Sequence, residues 1–299
     1  MKQINDPSQQ LAQYREVSFN LAHVTIKALR GGTPGGPTLL LLHGWLDNCH
    51  SFLPLLPYLD KYDWIALDFP GHGHSGHRSA DAQYYFVDWV FDVEALIRDQ
   101  KWQDLCVIGH SMGGYVAQLL AATFPESVRA LVSIEAFGLV TGPPNDALEQ
   151  LRKGFASRFK QQTRSLPVYS DLQHLRHARA KAGSFSEALA DLLLQRNLRP
   201  VEGGYSWRTD PRVRSVSPFR FSEHHVPAIL RGIQAPMQVI LGAEGHADLI
   251  KGLEKWQGEV ASLTTQTLPG GHHLHMEFPE AVASAALRHL NRVTQTACR

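Results

Sequence analysis

Three cysteines, at positions 49, 106 and 298, are all that this 299-residue chain contains. They are odd in number and far apart, which excludes a disulfide framework and predicts a reducing, cytoplasmic setting. Long apolar runs are also missing. No stretch approaches the ~20 consecutive apolar residues of a membrane span, and the opening Met-Lys-Gln-Ile-Asn-Asp-Pro-Ser has no apolar segment of signal-peptide length. Net charge is close to zero, at +1, so composition makes no case for a nucleic acid or an acidic surface as partner. Repeats and low-complexity tracts are absent. None of these features bears on oligomeric state.

What is present is ordinary for a globular chain: 43% hydrophobic and 19% charged residues, enough to bury a substantial core. The charge is unevenly placed. Residues 138–232 carry 15 Lys and Arg against 8 Asp and Glu. Such a block can steer an anionic substrate, although solvated helix faces are the commoner origin. Residues 14–29 alternate loosely and predict an antiparallel hairpin. Thr38-Leu-Leu-Leu-Leu42 is continuously apolar, as a parallel strand covered on both faces must be. A helix is expected from there through Leu59, then a short strand at Trp64–Asp68. Residues 83–100 place Phe86, Val90, Val93 and Ile97 on one helical stripe, with Asp88, Asp92 and Glu94 on a solvated face. Strand character returns at Leu105–Ile108, Val128–Glu135, Pro236–Gly242 and Thr264–Leu268. Helices are expected after Leu105–Ile108, from Tyr115 onward, across 146–197, near 247–257 and near 279–293. Strands alternating with helices imply a mostly parallel sheet with helices on both faces.

Chemistry concentrates at Gly109-His-Ser-Met-Gly113-Gly. A strand ends there and a helix begins at once, so Ser111 sits on a tight turn that lifts its hydroxyl above the sheet edge. The amide of Met112, at the helix N-terminus, is left free to donate to an oxyanion. A glycine-rich turn with an incidental serine is the plain alternative. A serine needs an imidazole to take its proton and a carboxylate to fix that imidazole's tautomer. Leu268-Pro-Gly-Gly-His272-His-Leu-His-Met-Glu277 follows the last strand, at the same sheet edge, and offers His272, His273 and His275.

Taken together, His43-Gly44-Trp45, Asp68-Phe-Pro-Gly71-His-Gly73-His-Ser75, the Ser111 turn and Gly271-His272 through Glu277-x-Pro279 resemble the α/β-hydrolase superfamily in order and spacing. The stretch His-Gly-Trp-Leu-Asp-Asn at 43–48, with Gly-His-His-Leu-His-Met near the end, is similar to the serine hydrolase-like protein group. The resemblance implies an α/β fold with an eight-stranded, mostly parallel sheet. It divides the chain into a core of residues 1–137 and 233–299, with 138–232 as a helical lid inserted after the sixth strand. It implies that His272, directly after a glycine and seven residues before a proline, is the catalytic histidine, and that the Trp45 amide joins Met112 in the oxyanion hole. Gly203-Gly-x-x-Trp207-Arg-x-Asp210 resembles a corner joining such a lid to its core. The acid departs from the pattern. The usual aspartate falls three residues past Gly242, where this chain has Gly245. Glu135, closing the sixth strand, is favoured over Glu244, because a glutamate ending a buried strand is costly unless it is paired or emerges at the sheet edge.

These residues predict a serine hydrolase that cleaves a small or medium-sized carboxylic ester through an acyl-enzyme, with no cofactor and no metal. A thioester or a carbon–carbon bond beside a ketone could be cut by the same groups, and a non-catalytic ligand-binding protein is the alternative outside enzymes. Dehalogenase and epoxide hydrolase chemistry is disfavoured, since it needs an aspartate where Ser111 stands. The histidines His72, His74 and His77 invite a metal, but turn hydrogen bonds explain them better. Cys106, mid-strand, is expected in the core.

Overall fold

In the computed structural model, residues 13–142, 145–162 and 165–296 are described; Cys298 lies outside them. The sheet begins with β1 (Arg15–Asn20) and β2 (Thr25–Gly32), the expected hairpin. It continues through β3 (Thr38–Leu42), β4 (Asp63–Leu67), β5 (Leu105–His110) and β6 (Val128–Ile134). A separate two-stranded hairpin, β7 (Leu198–Val201) and β8 (Gly204–Trp207), precedes β9 (Met237–Gly242) and β10 (Leu263–Leu268). The main sheet has eight strands in the order β1-β2-β4-β3-β5-β6-β9-β10. Within the main sheet, among the described residues, only β1 with β2 and β2 with β4 pair antiparallel.

The apolar strands explain this architecture. In β3, Leu40 and Leu42 join the hydrophobic cluster on one face, with Ile65 and Val107, while Leu39 and Leu41 join the other, with Trp64 and Ile108. Alternate side chains of a strand point to opposite faces, so a strand apolar at every position must be covered twice. One face is covered by α1 (Phe86–Gln100), α2 (Met112–Thr123) and α6 (Val226–Gly232), through Val93, Val116 and Leu230. The other is covered by α9 (Pro279–Thr296) through Val282 and Leu290, and by Phe52 and Leu56. Between β6 and β9 the chain leaves the sheet and forms α3 (Ala147–Gln162), α4 (Leu172–Gly183) and α5 (Glu187–Asn197) before the β7–β8 hairpin. The helix α7 (Ala247–Trp256) and the short α8 (Leu274–Glu277) complete the set of α-helices among the described residues.

Three local expectations are corrected. The helix expected through Leu59 is two short 3-10 turns, Cys49–Phe52 and Leu56–Tyr58. Pro54 and Pro57 each lack an amide hydrogen and cannot sustain an α-helix there. The polar side of α1 is not wholly solvated. Asp92 and Glu94 are buried; Asp92 accepts from His23 at 2.8 Å and Arg78 at 2.5 Å, and Glu94 from Arg98 at 2.6 Å and Ser127 at 3.0 Å. The segment around Gly203, expected only as a corner, forms a β-hairpin with its turn at the glycines.

Candidate active site

The strand β5 runs directly into α2, and Ser111 is the residue between them. Its backbone sits at φ 50° and ψ −118°, a left-handed conformation that costs an L-residue energy and persists only where the surroundings enforce it. Its amide donates to the Ile134 carbonyl at 2.9 Å, which fastens the turn to the end of β6. The flanking glycines are required by close approach. A β-carbon on Gly109 would lie 2.3 Å from the Gly113 carbonyl oxygen, and one on Gly113 would lie 2.0 Å from that of Leu42. Met112 is the first residue of α2, so its amide has no carbonyl one turn earlier to bond.

Glu135 follows β6 at φ 53° and is buried. Its amide is held by the Ile240 carbonyl at 2.9 Å. Its carboxylate accepts from the Gly242 amide at 2.8 Å and the His246 amide at 3.3 Å, and meets His272 Nδ1 at 3.2 Å. Burial alone would raise its pKa; the hydrogen bonds from His272, Gly242 and His246 outweigh it and hold the group below the ordinary glutamate value. Glu244, the other candidate acid, is exposed, and it is its amide that bonds, to the Gly270 carbonyl at 3.0 Å. Position 245 accounts for the departure from the usual pattern. A β-carbon there would stand 2.3 Å from Glu135 Oε1, so the carboxylate that reaches over from β6 occupies the space a side chain at 245 would need.

The three neighbouring histidines have separate surroundings. His272 faces Glu135, whereas His273 Nε2 lies 3.4 Å from Asp47 Oδ2. His275 is fully buried, with its ring 4.1 Å from that of His110 and its pKa pushed down by burial to about 3. His110, the residue before Ser111, donates from Nε2 to the His272 carbonyl at 2.8 Å, and the two rings pack with centroids 4.9 Å apart. The loop carrying His272 is thereby fixed against the turn carrying Ser111.

The histidines of the 72–77 loop go to separate partners. His72 bonds the Pro70 carbonyl at 3.4 Å, His74 meets Glu16 at 2.9 Å, and His77 bonds the Arg208 carbonyl at 2.9 Å. Trp45 is 50% exposed, and its ring nitrogen donates to the Val213 carbonyl at 3.3 Å. His43 anchors the same loop, donating to the Gly44 carbonyl at 2.7 Å and accepting from the Phe69 amide at 3.0 Å. A groove of about 820 Å³ borders His272, with His246, Ser184 and Phe278 among its walls. Cys106 is buried in β5, as expected.

Sequence reasoning missed Asp47. Buried beside the histidine loop, it is reached by Arg179 from α4 as well as by His273. Nothing local marked it, because Arg179 and His273 are more than 100 residues away in the chain.

Residues 37–279 match the family model described as the α/β hydrolase fold. A serine hydrolase-like protein of Danio rerio is 31% identical over 86% of this chain and 83% of its own length. Serine hydrolase-like protein 2 of Homo sapiens is 30% identical over 88% of each chain. Among solved structures, a hypothetical protein from Pseudomonas aeruginosa PAO1 superposes with a TM-score of 0.84 at 35% identity, covering 94% of this chain and 99% of that one.

Proposed function

The chain belongs to the α/β-hydrolase fold family, and from that premise we propose that it is a serine hydrolase cleaving carboxylic esters of small or medium-sized substrates through an acyl-enzyme. Ser111 Oγ attacks the ester carbonyl carbon while His272 Nε2 takes the hydroxyl proton. Glu135, bonded to the other ring nitrogen, fixes the tautomer and stabilises the imidazolium that forms. The carbonyl oxygen, now an oxyanion, is received by the amides of Trp45 and Met112. The imidazolium gives its proton to the departing alkoxide, leaving the acyl group on Ser111. Water, deprotonated by the same imidazole, then releases the carboxylic acid and restores the serine. Residues 138–232 act as a lid over the core formed by 1–137 and 233–299, excluding water and shaping the acyl and alcohol pockets.

The observation that carries this reading is the 3.2 Å contact between His272 Nδ1 and a Glu135 carboxylate already held by two backbone amides. A carboxylate so fixed is a preorganised partner for an imidazolium, and it supports Glu135 over Glu244 as the acid. The test is covalent labelling. A fluorophosphonate should modify Ser111, and Ser111→Ala should abolish both labelling and p-nitrophenyl ester turnover. Failure of the folded wild-type protein to label would point instead to a ligand-binding protein.

A further inference from the structure

We propose that Asp47, His110 and His273 form a binding site for a divalent transition-metal ion, with zinc the best match to its donors, seated between the neighbour of Ser111 and the neighbour of His272. The proposal concerns binding and does not rest on the catalytic reading.

The argument begins at His110, which is fully buried. A carbonyl oxygen can only accept, so the 2.8 Å contact with the His272 carbonyl puts the ring hydrogen on Nε2. In the neutral ring Nδ1 is then a bare lone pair. It has no hydrogen-bond partner among the described residues, and it faces Asp47 Oδ2 at 3.9 Å. Two acceptors opposed in a buried site are unfavourable unless something positive lies between them. His273 adds a third donor atom, with Nε2 at 3.4 Å from the same Oδ2. All three candidate ligand atoms lie within 4.8 Å of one another. Zinc bonds of ~2.0–2.2 Å in tetrahedral geometry bring ligand atoms to roughly 3.3 Å apart, so the cluster needs only small inward movements.

Three surrounding features fit an ion. The bond from His110 Nε2 to a backbone carbonyl is the outer-shell contact that orients a metal-ligating imidazole. Arg179 engages Oδ1 of Asp47, leaving Oδ2 to the imidazoles. Position 44 is the third feature. A β-carbon there would stand 2.9 Å from His110 Nδ1 and 3.1 Å from Asp47 Oδ2, so glycine keeps the gap between these two atoms clear. Two imidazoles and a carboxylate suit zinc better than calcium or magnesium, which prefer oxygen alone. An ion there would tie β5, the loop after β3 and the histidine loop together.

The test uses the full chain, stripped with a chelator and titrated with zinc chloride against a chromophoric competitor, with metal content measured by mass spectrometry after desalting. About one equivalent should bind, and His273→Gln should weaken binding at least about 100-fold. Asp47→Asn also loosens Arg179, so Gly44→Ala supplies the independent check. It keeps every ligand and fills the gap, and it should abolish the tight site while circular dichroism stays unchanged. Binding of less than about 0.1 equivalent by the wild type, or equal affinity in wild type, His273→Gln and Gly44→Ala, would overturn the site and leave Asp47 as an ion-pair partner of Arg179 alone.

Discussion

Glu135 is a single side chain on which several constraints meet. It adopts a left-handed backbone conformation, is buried, and spends both carboxylate oxygens on the Gly242 and His246 amides and the His272 ring. Because these bonds hold its folded pKa below the unfolded value, the ionised group adds stability at neutral pH. That contribution is complete above the ordinary glutamate value of 4.5 and is lost as pH falls through the folded value. The stability difference between wild type and Glu135→Gln, measured by urea denaturation, should therefore be constant near neutrality and should shift against the wild type on acidification below that point. A difference independent of pH would mean that folding leaves the Glu135 pKa unshifted, and a difference that grows in favour of the wild type on acidification would mean that the carboxyl is held neutral in the fold.

At the scale of elements, the Glu135 carboxylate, the proposed acid, is delivered from the end of β6 to a place beside the end of β9, and the glycine at 245 makes room for it. The arrangement predicts that the acid can be moved. Glu135→Ala vacates the space, and adding Gly245→Asp should restore at least about tenfold of the lost kcat, since orientation of the imidazole is what the carboxylate supplies. Gly245→Asp alone should be worse than wild type, because its β-carbon meets Glu135. Steady-state kinetics on the three variants decides. The sheet was legible in the sequence because strands apolar on both faces leave little choice of environment, and the turn at Ser111 because its glycines mark close backbone approach. The preference for Glu135 was legible as a buried acid in need of a partner. What escaped was set by non-local contact. Asp92 and Glu94 look solvated on a helical wheel until His23, Arg78 and Ser127 are folded against them. Asp47, His110 and His273 meet only in three dimensions. The β7–β8 strands, four residues each and carrying Arg199 and Pro200, fall below what period-two alternation can reveal.

Over the whole molecule, the segment between β6 and β9 is fastened to the sheet by charge as well as by apolar contact. Arg196 of α5 is buried, with Nε 2.7 Å from Asp68 Oδ2 and another nitrogen 2.7 Å from Glu16. Asp68 also accepts from the Cys49 amide at 2.9 Å and the His74 amide at 2.8 Å. Arg179 reaches Asp47, and Arg212 holds Asp210, which accepts from Tyr84 at 3.0 Å. Part of the basic charge of residues 138–232, on Arg179 and Arg196, is therefore paired with core carboxylates inside the fold and is not free to steer an anionic substrate. Removing one partner of a buried pair strands the other charge. Arg196→Met should cost about 3–5 kcal/mol by chemical denaturation, and adding Asp68→Asn should cost less than the sum of the two single changes. Simple additivity would show that the pair is not coupled.

The most direct test of the account compares two glutamates in one assay. With p-nitrophenyl acetate as substrate, Glu135→Gln should lower kcat about 10³–10⁴-fold, while Glu244→Gln should stay within about twofold of wild type. The opposite ranking, with Glu244→Gln inactive and Glu135→Gln unimpaired, would contradict it.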